Sequence, residues 1–223
     1  MCGRFTLIDD LGSVAERFEA IFPGDLEYHP RYNIAPSQNI LAVVNDGKNN
    51  RLGELRWGLI PSWAKDIKIG YKLINARTET LQEKPSFQSS FKRRRCIIPV
   101  DSFYEWKKKD GKKIPMRIQL QSHEIFSFAG LWDRWEQNDK VIHSCTIITT
   151  EPNSVMSDIH DRMPVILQSK KDEKAWLDRS IDDLDLLQQL LIPYSGEQME
   201  AYEISDLVNS PKNDLPEVIK PVY

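Results

Sequence analysis

The 223-residue chain contains no apolar run long enough to cross a bilayer, and its first residues lack the basic-then-apolar pattern of a secretory signal. Cysteine is scarce: Cys2, Cys96 and Cys145 form no CxxC pair and no metal spacing, so neither a disulfide framework nor a zinc–thiolate site is expected. No glycine-rich phosphate loop and no cluster of metal-ligating residues occurs, so no cofactor and no metal are expected. Linker-like stretches, low-complexity tracts and internal repeats are also missing, which points to one domain over residues 1–223. The net charge is −3, against a chain built to coat nucleic acid indiscriminately. These absences describe a reduced, cytoplasmic protein with no membrane partner and no sign of an obligate oligomer, so a monomer is expected.

What is present begins with Met1-Cys2-Gly3-Arg4. Initiator methionine is commonly removed before a small second residue, and its removal would leave Cys2 with a free α-amine beside its thiol. An α-amine has a reference pKa of about 7.7–8.0, so that roughly a tenth of it is neutral at pH 7, far more than of an exposed lysine. Such amines condense with aldehydes to Schiff bases, and a neighbouring thiol can close the imine to a five-membered thiazolidine. Cys96 and Cys145 sit in apolar runs and are expected to be buried structural thiols.

Along the chain, Arg4–Leu7 alternates like a short strand. Leu11, Val14, Phe18 and Ile21 have helical spacing, which predicts a helix from an Asp9 cap to Phe22. Residues 28–36, with Pro30 and Pro36, are expected to be irregular. Asn39–Asn45 and Leu52–Trp57 flank Asp46-Gly47 and predict a hairpin. In RWGLIPSW, Trp57 is expected in the core and Trp63 partly exposed, next to a loop carrying Lys65, Lys68 and Lys72 that suits a stacking platform beside a positive groove. Leu73–Thr80 reads as a buried strand delivering Asn75 and Arg77. Phe87–Arg95 reads as a basic helix, followed by a strand at Cys96–Val100.

Asp101–Lys107 alternates, so Phe103 and Glu105 share one face and Tyr104 and Trp106 the other. Among aromatics Glu105 would favour its protonated form and serve as a proton shuttle; on an exposed edge it would have no such role. Lys109-Asp110-Gly111 turns a hairpin into Ile114–Leu120, with further strands at Ile125–Leu131 and Val141–Thr149. His160 lies between Asp158 and Asp161, a setting that favours the proton-donating imidazolium, although a surface histidine without a role fits the pattern too. Helices are expected at Asp172–Arg179 and Ile181–Leu191. The basic runs Lys92–Arg95 and Lys107–Lys113 are compatible with solvated faces or with a phosphate-binding surface.

MCGRF, RYNIAPSQ, RWGLIPSW, LINARTET, FYEWKK, IHDRMPV and VNSPKND follow one another from residue 1 to about 214, and this ordered set resembles the SOS-response-associated peptidase (SRAP) family. The resemblance implies an α+β fold, a single compact domain with a mixed, barrel-like β core of short strands flanked by helices. It implies a sensor of abasic sites in single-stranded DNA, including at single/double-strand junctions, that forms a thiazolidine crosslink through Cys2, with lyase chemistry through the Schiff base. It also implies a cytoplasmic protein, nucleoid-associated when bound to DNA. Residue by residue, Cys2 matches the nucleophile, Asn75 the asparagine that bonds the lesion sugar, Glu105 the acid/base group and His160 the histidine that assists ring opening. Arg4, Arg77 and Arg162 match arginines that hold flanking phosphates, and Trp63 and Pro36 match positions that stack on bases or wedge a duplex end. Ala64 stands where some relatives carry a second aromatic. The family name keeps open an N-terminal-nucleophile thiol peptidase, and the groove-like features a noncovalent DNA-binding module.

Overall fold

In a computed structural model, which describes residues 2–222, thirteen strands and four α-helices follow one another. Met1, whose removal the sequence reading expects, lies outside the described residues. The strands are β1 (Phe5–Leu7), β2 (Ala20–Ile21), β3 (Arg31–Ile34), β4 (Asn39–Asn45), β5 (Asn50–Trp57), β6 (Asn75–Arg77), β7 (Arg95–Val100), β8 (Ser102–Lys109), β9 (Lys112–Leu120), β10 (Phe126–Gln137), β11 (Lys140–Thr150), β12 (Met163–Pro164) and β13 (Met199–Glu203). The helices are α1 (Leu11–Arg17), α2 (Pro85–Arg93), α3 (Lys170–Leu177) and α4 (Leu184–Gln189). None of the helices is long and apolar enough to cross a membrane.

Five strands close on themselves. β5 pairs antiparallel with β4, β4 with β7, β7 with β10 and β10 with β11. The ring is completed by a parallel seam in which Ser144 and Cys145 of β11 face Arg56 and Trp57 of β5. The result is a mixed barrel, and closure leaves these strands with no open edge along the seam. Beside it lies a second sheet in the order β13-β9-β8-β1-β3. The two join through aromatics: Phe5 of β1 packs 5.2 Å from Trp57 and 6.2 Å from Phe128, and Phe103 of β8 lies 5.6 Å from Phe128, all in tilted or edge-on geometry.

Several expectations need correction. α1 is capped by Asp10, which accepts from the Ser13 amide, not by Asp9, and it ends at Arg17 because Glu19 adopts a left-handed φ of 50°. Ile21 therefore lies in β2, parallel to β5, and is exposed. The segment expected to be irregular contains β3, which pairs with β1; the amides of Tyr32 and Asn33 donate to Asp214, so a carboxylate completes the strand in place of a further neighbour. α2 stops at Arg93, and Arg95 turns inward as the first residue of β7, donating to the carbonyls of Phe91, Lys92 and Trp176. Asn138 and Asp139, both at positive φ, make the tight turn that extends β10 and β11 well beyond the expected strands.

Two close approaches position β6 and β1. Gly58, at φ 124°, and Gly70 meet so closely that a Cβ on either would stand 2.7 Å from the other's carbonyl oxygen. Only glycine allows the turn at Ile67–Lys72 to lie against the barrel end and run on into β6. The second is the clasp on β1. Thr6 Oγ1 donates to Asp101, the Ile8 amide donates to the other Asp101 oxygen at 2.5 Å, and Arg117 stands 3.7 Å away while donating to Ser102 Oγ and Tyr202 OH. Burial pushes the Asp101 carboxyl up, and Thr6, the Ile8 amide and Arg117 pull it back down.

Asp101→Ala should therefore lower unfolding stability by about 3–5 kcal/mol, because Arg117 is left buried with its charge uncompensated. Denaturant unfolding of the variant against wild type measures this, and a loss below about 1 kcal/mol would show that the clasp is not what holds β1.

Candidate active site

Cys2 stands two residues beyond the pairing of β1 with β8, in which Phe5 faces Phe103 and the Tyr104 amide donates to the Arg4 carbonyl at 2.9 Å. It is fully buried, with Sγ 4.0 Å from the Arg4 carbonyl oxygen. From the other side comes Asn75, which opens β6 and faces Ile147 of β11 in the parallel pairing. Its Nδ2 donates to the Cys2 carbonyl at 2.8 Å, while Oδ1 is buried with no hydrogen-bond partner among the described residues. An amide whose donor half is fixed and whose acceptor half is open is oriented to receive a hydrogen bond beside Cys2.

Strand alternation in β8 puts Glu105 on the same face as Phe103, buried, while Tyr104 and Trp106 pack on a satellite cluster with Val208 and Val218. Burial pushes the Glu105 carboxyl up, and the charge of His160 is among the effects opposing that rise. Burial likewise pushes the Cys2 thiol up, and the Glu105 carboxylate pushes it further. Cys2 therefore does not rest as a thiolate, and the Glu105 carboxyl ionises above its ordinary range.

His160 closes a compact run of turns in which Asn153 Oδ1 accepts from the Val155 and Met156 amides and the His160 amide donates to the Met156 carbonyl at 2.8 Å. Its Nδ1 lies 3.1 Å from the Arg162 amide and 2.8 Å from Asp161 Oδ1. A bare Nδ1 accepts from the amide, and a protonated one donates to the carboxylate, so either state of the ring has a partner. Glu105 and His160 share an open cavity of about 440 Å³, completed by Trp106, Lys108, Lys113 and Asn209. A separate cavity of about 450 Å³, lined by Ile21, Phe22, Leu55 and Trp132, is apolar and contains none of the four expected catalytic residues.

The expected phosphate-binding arginines are placed differently from one another. Arg77 is exposed. Arg4 donates from Nη1 to Asn33 Oδ1 at 2.7 Å and to the Val208 carbonyl at 2.6 Å, with its guanidinium 5.8 Å from the Trp106 ring centre. Arg162 pairs with Glu79 through both terminal nitrogens and donates to the Thr149 carbonyl at 2.6 Å. Arg4 and Arg162 thus have protein partners that the sequence does not disclose. Trp63 is 57% exposed, and Pro36 is half-buried in the loop after β3. Ala64 is buried, its carbonyl accepting from Trp135 Nε1.

Two neighbouring residues escaped the sequence reading. Tyr71 is 63% exposed, and the Arg56 guanidinium lies 5.9 Å from its ring centre while Arg56 Nη1 donates to the Ser37 carbonyl next to Pro36. Its signal was an aromatic between Gly70 and Lys72 in the lysine-rich loop. Asn209 is held by Trp106 Nε1 at 2.8 Å and lines the cavity, a role that the turn-forming composition of residues 208–214 does not announce. Among the described residues no group of three or more His, Cys, Asp or Glu is placed to hold a metal ion.

Comparison with known proteins gives a consistent picture. The profile of the SOS response associated peptidase (SRAP) family matches residues 1–211. The chain is 60% identical over 223 residues to the abasic site processing protein YoqW of Bacillus subtilis, covering 99% of both chains. It is 31% identical over 222 residues to the abasic site processing protein HMCES of Xenopus tropicalis, covering 86% of this chain and 66% of that one. The crystal structure of a protein from Bacteroides thetaiotaomicron superimposes with a TM-score of 0.90 at 29% identity, over the full length of both.

The raised Glu105 carboxyl has a sign that can be checked. Between its ordinary value and its raised folded value the native state binds more protons than the unfolded state. Stability contributed by the neutral carboxyl is therefore complete below that window, falls as pH rises through it, and is absent above it. Glu105→Gln should remove this decline and unfold at a higher temperature than wild type at neutral pH, as read from thermal melts across a pH series. A variant that melts lower at neutral pH would mean that the ionised carboxylate is the form the fold prefers.

Proposed function

The chain belongs to the SOS response associated peptidase family, and from that premise we propose that it processes abasic sites in single-stranded DNA, becoming covalently linked to them through Cys2. The observation that carries this reading is the convergence of Asn75 and Glu105 on Cys2, with His160 across a cavity open to solvent.

The chemistry requires loss of Met1, since only then is the Cys2 nitrogen an amine. An abasic sugar is mainly a closed hemiacetal; opening it needs a proton at the ring oxygen, which the imidazolium of His160 supplies, and loss of the C1 hydroxyl proton, which the imidazole so formed takes up. The amine adds to the aldehyde carbon and one of its protons passes by way of Glu105 to the new alkoxide, giving a carbinolamine whose nitrogen then gives up its remaining proton to the Glu105 carboxylate. That proton is returned to the departing hydroxyl, so that water leaves and a C=N bond remains. Sγ then adds to the imine carbon; the S–C bond forms, the C=N bond becomes single, and the thiol proton passes by way of Glu105 to nitrogen. Because the thiol is buried and neutral, this last step needs a base at hand, and Glu105 is the one that acts on Cys2. Asn75 holds the Cys2 carbonyl and presents Oδ1 to a sugar hydroxyl. Ring closure removes the imine that would otherwise promote β-elimination, and a Schiff base left open gives lyase cleavage of the strand.

A single strand is favoured as substrate by the exposed Trp63 and Tyr71, set among Lys65, Lys68, Lys72 and Arg77. Aromatic faces accept any base, and the cations follow the backbone. Trp63, and the Pro36 loop that Arg56 ties to Tyr71, would meet the end of a duplex at a junction. All of these groups come from one chain, and the protein acts as a monomer.

Intact-mass measurement after mixing Met1-free protein with an oligonucleotide bearing one abasic site should give an adduct of protein plus DNA less one water, stable to heat without reductant. Cys2→Ser should lose that stable species while retaining affinity for the strand. Met1-free wild-type protein that forms no adduct overturns the covalent reading.

A further inference from the structure

The β8–β9 ribbon continues past Glu105 to a turn at Asp110 (φ 50°) and Gly111 (φ 75°). Two successive left-handed residues give the tight, strongly twisted hairpin connection. Register sets Lys109 opposite Lys112 and Lys108 opposite Lys113. Like charges directly opposed in a ribbon destabilise it, so two such pairs in succession call for an anion. Among the described residues none of these four lysines takes part in an ion pair, and Asp110 is the one acid at the tip.

The two pairs are not equivalent. Side chains alternate across a ribbon, so Trp106, Lys108 and Lys113 stand on one face and Lys107, Lys109 and Lys112 on the other. The cavity over Glu105 and His160 is lined by Lys108 and Lys113 and by neither Lys109 nor Lys112. Its wall is fixed at this point, because Trp106 donates to Asn209 at 2.8 Å and lies under the Arg4 guanidinium.

We propose that Lys108 and Lys113 together bind a backbone phosphate of the DNA strand on the β8 side of Cys2, an inference that rests on the reading of DNA as partner. Trp63 and Tyr71 belong to the segment that reaches Cys2 through Asn75, so the strand is gripped by stacking on that side and by charge on this one. A phosphodiester between two opposed ammonium groups relieves their repulsion, and flexible lysines suit a point contact with a backbone that passes at varied angles. Arg4 and Arg162, both engaged by protein acceptors, leave that charge to be supplied by the ribbon.

The test is the salt dependence of noncovalent binding. Cys2→Ala protein would be titrated with a single-stranded oligonucleotide carrying a tetrahydrofuran abasic analogue, which has no aldehyde. Adding Lys108→Gln and Lys113→Gln should weaken binding and reduce the slope of log K against log salt by about 0.7, the value for one single-strand phosphate contact. Lys109→Gln with Lys112→Gln, the same charge removed from the other face, should leave the slope at its parent value. Lys108→Arg with Lys113→Arg should restore it, and matching melting temperatures show the ribbon intact. Equal effects of the two glutamine pairs would indicate a diffuse field and overturn the proposal, as would no effect of either. A parent protein that fails to bind the strand brings down the DNA reading itself, whereas binding with unchanged slopes sinks only the role of Lys108 and Lys113.

Discussion

The Asp101 carboxylate accepts from Thr6 and from the Ile8 amide, with Arg117 closing the cluster behind it. The candidate site depends on this clasp, because Cys2, the proposed nucleophile, lies near the amino terminus, and chain ends normally fray. β1 has only three residues, too few to stay in place by strand pairing alone. It is held by being central, with β3 on one side and β8 on the other, by Phe5 in the aromatic cluster, and by a buried acceptor that no water can replace. Fixing β1 fixes Cys2 relative to Glu105, since both are read off one register.

The electrostatics of the site follow from the same burial. Thiol enzymes commonly depend on a cysteine whose thiolate is stabilised by a nearby cation. Here burial and the charge of Glu105 act together to keep the Cys2 proton on sulfur, and burial raises the Glu105 carboxyl above its ordinary range. A neutral thiol beside a carboxylate of raised basicity suits the additions to an aldehyde proposed above, where each bond formed moves one proton on and one proton off.

Much of this arrangement was legible in the sequence, for identifiable reasons. Alternation in FYEW assigns Glu105 and Phe103 to one face, and apolar periodicity finds the strands of the barrel hairpins. What was not legible depends on partners distant along the chain. The parallel seam between β5 and β11 joins residues almost ninety positions apart and leaves no local mark. β3 looked irregular because of its flanking prolines, yet β1 and Asp214 supply its hydrogen bonds from elsewhere. The run Lys92–Arg95 looked uniformly basic, but Arg95 is consumed by helix-end carbonyls and Arg94 by Asp133. Glu79 and the Val208 carbonyl, which engage Arg162 and Arg4, could not be paired with them by spacing.

The contacts of Arg4 and Asn33 with the carbonyls of Val208, Ser210 and Asn213 join the two ends of the chain. On a ribosome that adds about 5–20 residues per second, the amino terminus emerges about 10–40 s before residues 208–214 exist to receive Arg4. β8, its other neighbour, arrives only when nearly half of the polypeptide has been made. Until then Arg4 lacks its carbonyl partner at Val208 and β1 can pair only with β3, so the cradle of Cys2 closes last. The order of translation thus leaves the proposed removal of Met1 an opening before the site is enclosed.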